Sequence, residues 1–91
     1  MNKKRDRLAV IYDILSIIRD HHNSMKLTPL LRYANLSSSS FSDYYSELVL
    51  KEFVKEIIDN DGHKYVTLTD KGFKFLEKYK LITGFIEEFE L

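Results

Sequence analysis

The sequence predicts a mainly α fold of the α+β class, with three helices, a β-hairpin and then a long fourth helix. Three observations support this order. Apolar residues recur at helical spacing from about Asp6 to His22, and again beyond Ser37. Two β-rich runs flank a turn that contains Asp61-Gly62. A heptad-like apolar row follows Thr69 and predicts the last helix.

Length and composition limit the class of protein. The chain has 91 residues, 14 basic and 14 acidic side chains, and no cysteine. We expect one domain, without a disulfide, a thiolate nucleophile or a Cys-based zinc site. No signal peptide or membrane segment is evident, so we expect an intracellular, cytoplasmic protein. The balanced charge argues against strong non-specific binding of nucleic acid, unless basic residues gather on one surface.

The first helix is predicted from about Asp6 to His22. Its apolar side chains form two adjoining rows, which implies two packing partners. The rows are Leu8, Ile11, Leu15 and Ile18, and Val10, Ile14 and Ile17. Three polar residues of the same segment are expected to face water: Asp13, Ser16 and Asp20. His21 and His22 suit a helix end better than a metal site, because no third ligand stands at the required spacing.

The next segment predicts two short helices joined by a tight turn. Pro29 fits the first turn of the second helix, with Thr28 as its N-cap. Asn35 supplies the turn because asparagine tolerates a left-handed backbone, and Ser37 is placed to cap the third helix. One face of the third helix is apolar: Phe41, Tyr45 and Leu48. The opposite face carries Ser39, Asp43 and Ser46.

The hairpin is predicted between Phe53 and Leu68, and Thr69 is placed to cap the last helix. An apolar row then recurs at intervals of four, three, four and three: Phe75, Tyr79, Ile82, Ile86 and Phe89. With Phe85 beside it, we expect this row to form a dimer interface, because an exposed apolar ridge is unfavourable in a soluble monomer. Gly84 indicates a kink or a close helix crossing in this helix.

This order of elements is that of a winged helix-turn-helix with a β-hairpin wing and a long C-terminal helix. Three segments carry a further likeness: YANLS at 33–37, LTDKG at 68–72 and FLEKY at 75–79. In them the sequence resembles the small archaeal winged-helix DNA-binding proteins, which include a Sulfolobus nucleoid protein whose C-terminal helices pair as an antiparallel coiled coil. The resemblance implies an intracellular, nucleoid-associated, dimeric DNA binder from an archaeon or one of its viruses.

We therefore divide the chain into a basic N-terminal segment (1–5), a winged helix-turn-helix domain (6–68) and a C-terminal dimerisation helix (69–91). Contacts with DNA bases are expected from the outer face of the third helix: Ser39, Ser42, Asp43 and Ser46. Contacts with phosphates are expected from Lys26, Arg32, His63 and Lys64, together with Lys3, Lys4 and Arg5. The expected partners are double-stranded DNA and a second copy of the chain. No catalytic motif, cofactor, metal, membrane or small-molecule ligand is predicted.

The third helix departs from a typical base-reading helix. It has no Arg or Lys before Lys51, and the carboxylates of Asp43 and Glu47 would repel phosphates. The alternative function is a winged-helix adaptor that binds proteins and has no affinity for DNA. A capped, solvated helix start also explains the serine run, and a solvated terminus also explains the basic N-terminal segment.

Overall fold

The computed structural model describes residues 6–91. Its elements are α1 Arg7–Asp20, α2 Leu27–Ala34, α3 Ser38–Leu50, β1 Val54–Ile58, β2 Lys64–Leu68 and α4 Asp70–Glu88. The predicted order of three helices, a hairpin and a long final helix is confirmed. In the part of the chain that the structure describes, no helix is long and apolar enough to cross a membrane.

Helix α1 lies at the centre of the core and packs against α2, β2 and α4. Both predicted apolar rows contribute buried side chains, and Ile14, Leu15 and Ile18 are fully buried. Three other elements add large side chains that are fully buried: Leu30 of α2, Leu48 of α3 and Val66 of β2. The second packing partner that the two rows implied is therefore α4 of the same chain. Leu8, at the start of α1, remains 48% exposed.

Three predictions around α1 and α2 were wrong in detail. α1 ends at Asp20, two residues before the predicted end; His21 is its C-cap, which confirms the helix end predicted there, and His22 takes a left-handed backbone with φ 62°. α2 begins at Leu27, two residues earlier than Thr28 would require as its cap, and its N-cap, Lys26, has no side-chain hydrogen bond. The hydroxyl of Ser16 is buried without a hydrogen-bond partner among the described residues, although we expected it to face water.

The turn between α2 and α3 follows the prediction. Asn35 ends α2 in a left-handed conformation, with φ 57° and ψ 47°. The Ser37 hydroxyl oxygen caps α3 by accepting a hydrogen bond of 3.2 Å from the backbone N–H of Ser40. The side chains of Phe41 and Leu48 point into the core, as predicted. The opposite face of α3 is therefore turned to solvent, and it carries Ser39, Ser42, Asp43 and Ser46.

Strands β1 and β2 form an antiparallel hairpin in which Val54 lies opposite Leu68 and Glu56 lies opposite Val66. Met25, which precedes α2, adds an isolated bridge to Val66 on the other edge of β2. The hairpin is thereby attached to the body of the domain through β2. Its β1 edge faces α3, with which it makes contact.

The tip of the hairpin is closed by Asp59 and Gly62. One carboxylate oxygen of Asp59, Oδ1, accepts hydrogen bonds of 2.9 Å from the backbone N–H groups of Asp61 and His63. Gly62 has a φ of 84°, which glycine adopts without steric strain. The turn that Asp61-Gly62 predicted is confirmed.

Helix α4 begins at the predicted cap and is packed closely at its first turn. The Thr69 hydroxyl oxygen accepts a hydrogen bond of 3.1 Å from the backbone N–H of Gly72. A side chain at Gly72 would run into the carbonyl oxygen of Phe53. Further along, α4 continues through Gly84, and outside the neighbouring helix backbone no described atom lies within 4 Å of the place that a Cβ would occupy there.

The two helical glycines of α4 give a matched pair of substitutions. We expect Gly72→Ala to lower the free energy of unfolding by about 2 kcal/mol, because the added methyl group displaces the Phe53 backbone. We expect Gly84→Ala to raise it by up to about 1 kcal/mol, because alanine has the higher helix propensity and the site is open. Urea denaturation measures both. Equal effects of the two substitutions would contradict the close packing at Gly72.

Candidate nucleic-acid interface

The outer face of α3 presents small polar side chains to solvent. Ser39, Ser42, Asp43 and Ser46 are all exposed there. A serine hydroxyl both donates and accepts hydrogen bonds, whereas an ionised aspartate only accepts. This face is able to contact base edges and phosphates, but serine alone discriminates weakly between bases.

A hydrogen bond joins α3 to the hairpin. The Tyr45 hydroxyl donates to Glu56 Oε2 at 2.5 Å, and Lys64 Nζ lies 3.6 Å from Glu56 Oε1. A shallow groove of about 320 Å³ lies between the two elements, lined in part by Tyr45, Ser46 and Glu56. The outer face of α3 and the adjoining face of the hairpin therefore form one surface, which we call the α3–wing surface.

The protonation of Tyr45 supports this link. Burial raises the pKa of the Tyr45 hydroxyl above its ordinary value, and the hydrogen bond to the Glu56 carboxylate raises it further. The phenol therefore remains protonated at neutral pH. It continues to donate to Glu56 over the whole physiological range.

The carboxylate of Glu47, which we expected to repel phosphates, is paired with two cations. Arg7 of α1 forms an ion pair with it, and Lys51 Nζ lies 2.9 Å from Glu47 Oε2. Asp43 lines the same shallow hollow as Arg7 and Glu47. Of the two carboxylates of α3, that of Glu47 is thus compensated by two cations.

The structure places the predicted phosphate contacts at different distances from α3. His63 and Lys64 are exposed on the hairpin, and Lys64 reaches towards α3 through Glu56. Lys26 instead lies 5.9 Å from the ring of Tyr65, on the opposite face of the hairpin from Glu56. Arg32 is exposed on α2. The predicted contacts Lys3, Lys4 and Arg5 lie outside the described residues.

Sequence reasoning missed two features of this surface. The ion pair between Arg7 and Glu47 joins residues that are far apart in the chain, so no local pattern indicates it. The hydrogen bond from Tyr45 to Glu56 was missed because Tyr45 was counted only as an apolar residue. The Glu47–Lys51 pair, by contrast, has the helical i, i+4 spacing and was readable from the sequence.

Three metal-ligating side chains meet at the hairpin tip. Ligand atoms of Asp59, Asp61 and His63 lie within 4.8 Å of one another, and all three belong to the turn. The backbone N–H of His63 donates to the Asp59 carboxylate and lowers its pKa below the ordinary value. These are the contacts that close the turn, and they account for the cluster.

The predicted dimer residues divide into two groups. Tyr79 stacks on Tyr12 of α1 at 4.7 Å between ring centroids, and Phe75 packs against Phe53 at 5.5 Å. These two α4 residues are partly buried within the chain. The remaining four are exposed: Ile82, Phe85, Ile86 and Phe89. The apolar row is continuous in the sequence, and only the structure shows where packing against the same chain ends.

A helix-turn-helix whose second helix shares a surface with a two-stranded hairpin defines a winged helix. Consistent with this, the family described as winged helix-turn-helix matches residues 4–87. The chain belongs to the winged helix-turn-helix family. The resemblance to archaeal winged-helix proteins is confirmed as well.

Among proteins of related sequence is MJ0290 of Methanocaldococcus jannaschii. It is 35% identical over 75 residues, which are 82% of this chain and 32% of that protein. The chain therefore spans about a third of the length of this relative.

Two solved structures illustrate the shared fold. Sso10a-2, a DNA-binding protein from Sulfolobus solfataricus, superposes with a TM-score of 0.74 at 20% identity, covering 94% of this chain and 86% of Sso10a-2. MarR from E. coli, in its oxidised form, gives a TM-score of 0.72 at 24% identity, covering 84% of this chain and 54% of MarR. At these identities the likeness establishes the fold.

The link between α3 and the hairpin is testable at Tyr45. We expect Tyr45→Phe to lower the free energy of unfolding by about 1 kcal/mol, because Glu56 loses its donor. Tyr44→Phe is the matched control, since the Tyr44 hydroxyl has no hydrogen-bond partner among the described residues. Urea denaturation at pH 7 compares the two.

The same hydrogen bond predicts a pH dependence. Because folding raises the pKa of Tyr45, the contribution of Tyr45 to the free energy of unfolding is present below the ordinary tyrosine pKa of about 10 and is lost as pH rises further. A difference that grows above pH 10 would contradict the link.

Proposed function

We propose that this chain is a homodimeric winged-helix protein that binds double-stranded DNA inside the cell, as a transcriptional regulator or a small chromatin protein. The α3–wing surface carries the proposal. Tyr45, Glu56 and Lys64 hold α3 and the hairpin side by side, so that both can reach one stretch of duplex.

In the proposed complex, α3 enters the major groove, which is about 12 Å wide and admits a helix. Base edges would meet the outer face of α3: Ser39, Ser42, Asp43 and Ser46. His63 and Lys64 would contact phosphates beside the groove, and Lys26 and Arg32 would reach phosphates only at the edge of the complex. Most of the affinity would come from phosphate contacts, because serine gives limited discrimination.

Two findings favour DNA over other partners. The pairing of Glu47 with Arg7 and Lys51 leaves Asp43 as the remaining carboxylate of α3 that would repel phosphates. Sso10a-2, whose fold this chain shares over most of both lengths, is described as a DNA-binding protein.

A protein-binding adaptor without DNA affinity is the second candidate. The observation in its favour is the apolar part of the groove between α3 and the hairpin, where Val49 and Leu50 are exposed. Leu50 is 81% exposed, which is unusual for a leucine on a phosphate-binding surface.

The dimer is supported by α4. The exposed residues Ile82, Ile86 and Phe89 continue the apolar row beyond the body of the domain. The charges of α4 are also unevenly distributed: four lysines outnumber Asp70 and Glu77 in its first part, and Glu87, Glu88 and Glu90 lie at or just beyond its end. An antiparallel pair of α4 helices would place opposite charges side by side.

Mobility-shift titration against duplex DNA at several salt concentrations tests the DNA proposal. We expect affinity to fall as salt rises, because phosphate contacts release counterions. Lys64→Gln should weaken binding to all sequences alike, by roughly tenfold at low salt, and reduce the salt slope by about one. Lys80→Gln, on α4, is the matched control and should change neither.

The result that would contradict the DNA proposal is binding that does not weaken as salt rises, or no binding at low salt. Either result would favour the adaptor. Equal losses for Lys64→Gln and Lys80→Gln would remove the hairpin from the proposed surface.

Sedimentation tests the dimer. We expect the wild type to be dimeric at micromolar concentration and the double variant Ile82→Asp with Ile86→Asp to be monomeric, because two carboxylates would be buried at the seam. Lys80→Asp, on the far side of α4 from the apolar row, is the control and should remain dimeric. A monomeric wild type would refute the dimer.

A further inference from the structure

An apolar groove of about 340 Å³ lies where the body of the domain meets α4. Its floor combines three α4 side chains with one side chain from α1 and one from the segment after α3: Phe75, Tyr79 and Ile82 with Leu8 and Phe53. Nearly all of the floor consists of carbon atoms. Such a surface is favourably covered by an apolar partner.

The rim of this groove is basic. Lys71, Lys74 and Lys78 line it, and none of the described residues that line it is acidic. The ammonium group of Lys71 already donates to the carbonyl oxygen of Lys51 at 2.7 Å and lies 5.0 Å from the ring of Phe53. Lys74 and Lys78 are exposed. A fitting occupant is therefore apolar and carries negative charge.

We propose that the groove receives the C-terminal end of α4 from a second copy of this chain. That end is exposed, and it combines Ile86 and Phe89 with three acidic residues, Glu87, Glu88 and Glu90. It contains no basic residue from Phe85 to Leu91. The basic N-terminal segment of the sequence would instead meet like charge at the lysine rim. This inference rests on the proposed dimer.

The spacing along α4 fits an antiparallel pairing centred on Ile82. Ile82 lies midway between Phe75 and Phe89, about 10 Å from each at 1.5 Å per residue. Phe89 of the second copy would therefore lie over Phe75, between Leu8 and Phe53. Glu90 of the second copy would lie beside Lys74, where opposite charges attract.

The consequence is that the dimer is not held by α4 alone. Leu8 and Phe53 belong to the winged-helix domain, and Phe53 directly follows the turn that ends α3. The Thr69 hydroxyl and the Lys71 ammonium group contact the same turn, through the carbonyl oxygens of Glu52 and Lys51. Docking of the second copy would thus fix each α3 relative to the dimer axis, which sets the spacing of the two DNA-reading helices.

Disulfide trapping tests the contact directly, because the chain has no cysteine of its own. We expect Leu8→Cys combined with Phe89→Cys to give a covalent dimer under mild oxidation. Leu50→Cys combined with Phe89→Cys is the control, since Leu50 is exposed but lies on α3, and it should give little covalent dimer. Phe89→Cys alone should give little as well, because antiparallel pairing holds the two copies of residue 89 about 20 Å apart.

Two substitutions of opposite charge at Leu8 test how much the groove contributes to the stability of the dimer. Leu8 is half-exposed on α1 and lies outside the α4 row, so its substitution leaves the helix seam intact. We expect Leu8→Glu to weaken the dimer by at least about tenfold, and Leu8→Lys to weaken it less, because lysine attracts the acidic end. Sedimentation equilibrium measures both, and thermal unfolding monitored by circular dichroism checks that each variant is folded.

The outcomes separate this inference from the dimer itself. If the wild type is dimeric and Ile82→Asp disrupts it, while Leu8→Glu has no effect and the Leu8–Phe89 cysteine pair does not cross-link, the groove is not the docking site. That result overturns the inference and leaves the dimer standing. Cross-linking by Phe89→Cys alone would indicate parallel helices and would also overturn it. A monomeric wild type would refute both proposals.

Discussion

The backbone carbonyl groups just after α3 are the point on which the arrangement of the other elements depends. Carbonyl groups at a helix C-terminus have no partner within the helix. Here the start of α4 supplies donors for those that follow: the Thr69 hydroxyl donates to Glu52 O at 2.6 Å, and Lys71 Nζ donates to Lys51 O at 2.7 Å. The Thr69 hydroxyl also caps α4 by accepting from Gly72. Both strands of the hairpin are connected to this contact between the end of α3 and the start of α4, since β1 begins after Phe53 and β2 ends before Thr69. The directions of α3, the hairpin and α4 are therefore set together at one place.

The features that the sequence predicted well depend on neighbouring residues. Asn35 ends α2, and Ser37 and Thr69 cap the helices that follow them, because each acts through its own backbone or an N–H three residues away. Thr28 failed as a cap because α2 starts two residues earlier than a Thr28 cap requires. Helix boundaries of this kind depend on how the preceding segment packs, here through the bridge of Met25 to β2.

The features that the sequence did not predict depend on contacts between distant elements. The Arg7–Glu47 ion pair and the Tyr45–Glu56 hydrogen bond exist only after α1, α3 and β1 have packed together. The same holds for the row on α4, whose periodicity is uniform although Tyr79 packs on α1 within the chain. Hydrophobic spacing shows which face of a helix seeks a partner. It does not show whether that partner is the same chain.

The net charge of zero is a poor guide to the α3–wing surface, because the acidic residues are not spread evenly. Glu47 is paired with Arg7 and Lys51, and Glu56 accepts from Tyr45 and lies near Lys64. The acidic end of α4 begins at Glu87, about 24 Å along the helix from Lys71 at 1.5 Å per residue. This distance is about three Debye lengths at physiological ionic strength, so salt screens the interaction of those charges with the start of α4 and the end of α3. A phosphate approaching the hairpin therefore meets mainly local charges: the ammonium group of Lys64 attracts it, and the carboxylates of Asp59 and Asp61 at the tip repel it. A net charge of zero for the whole chain is therefore compatible with an anionic partner at one surface and self-association at another.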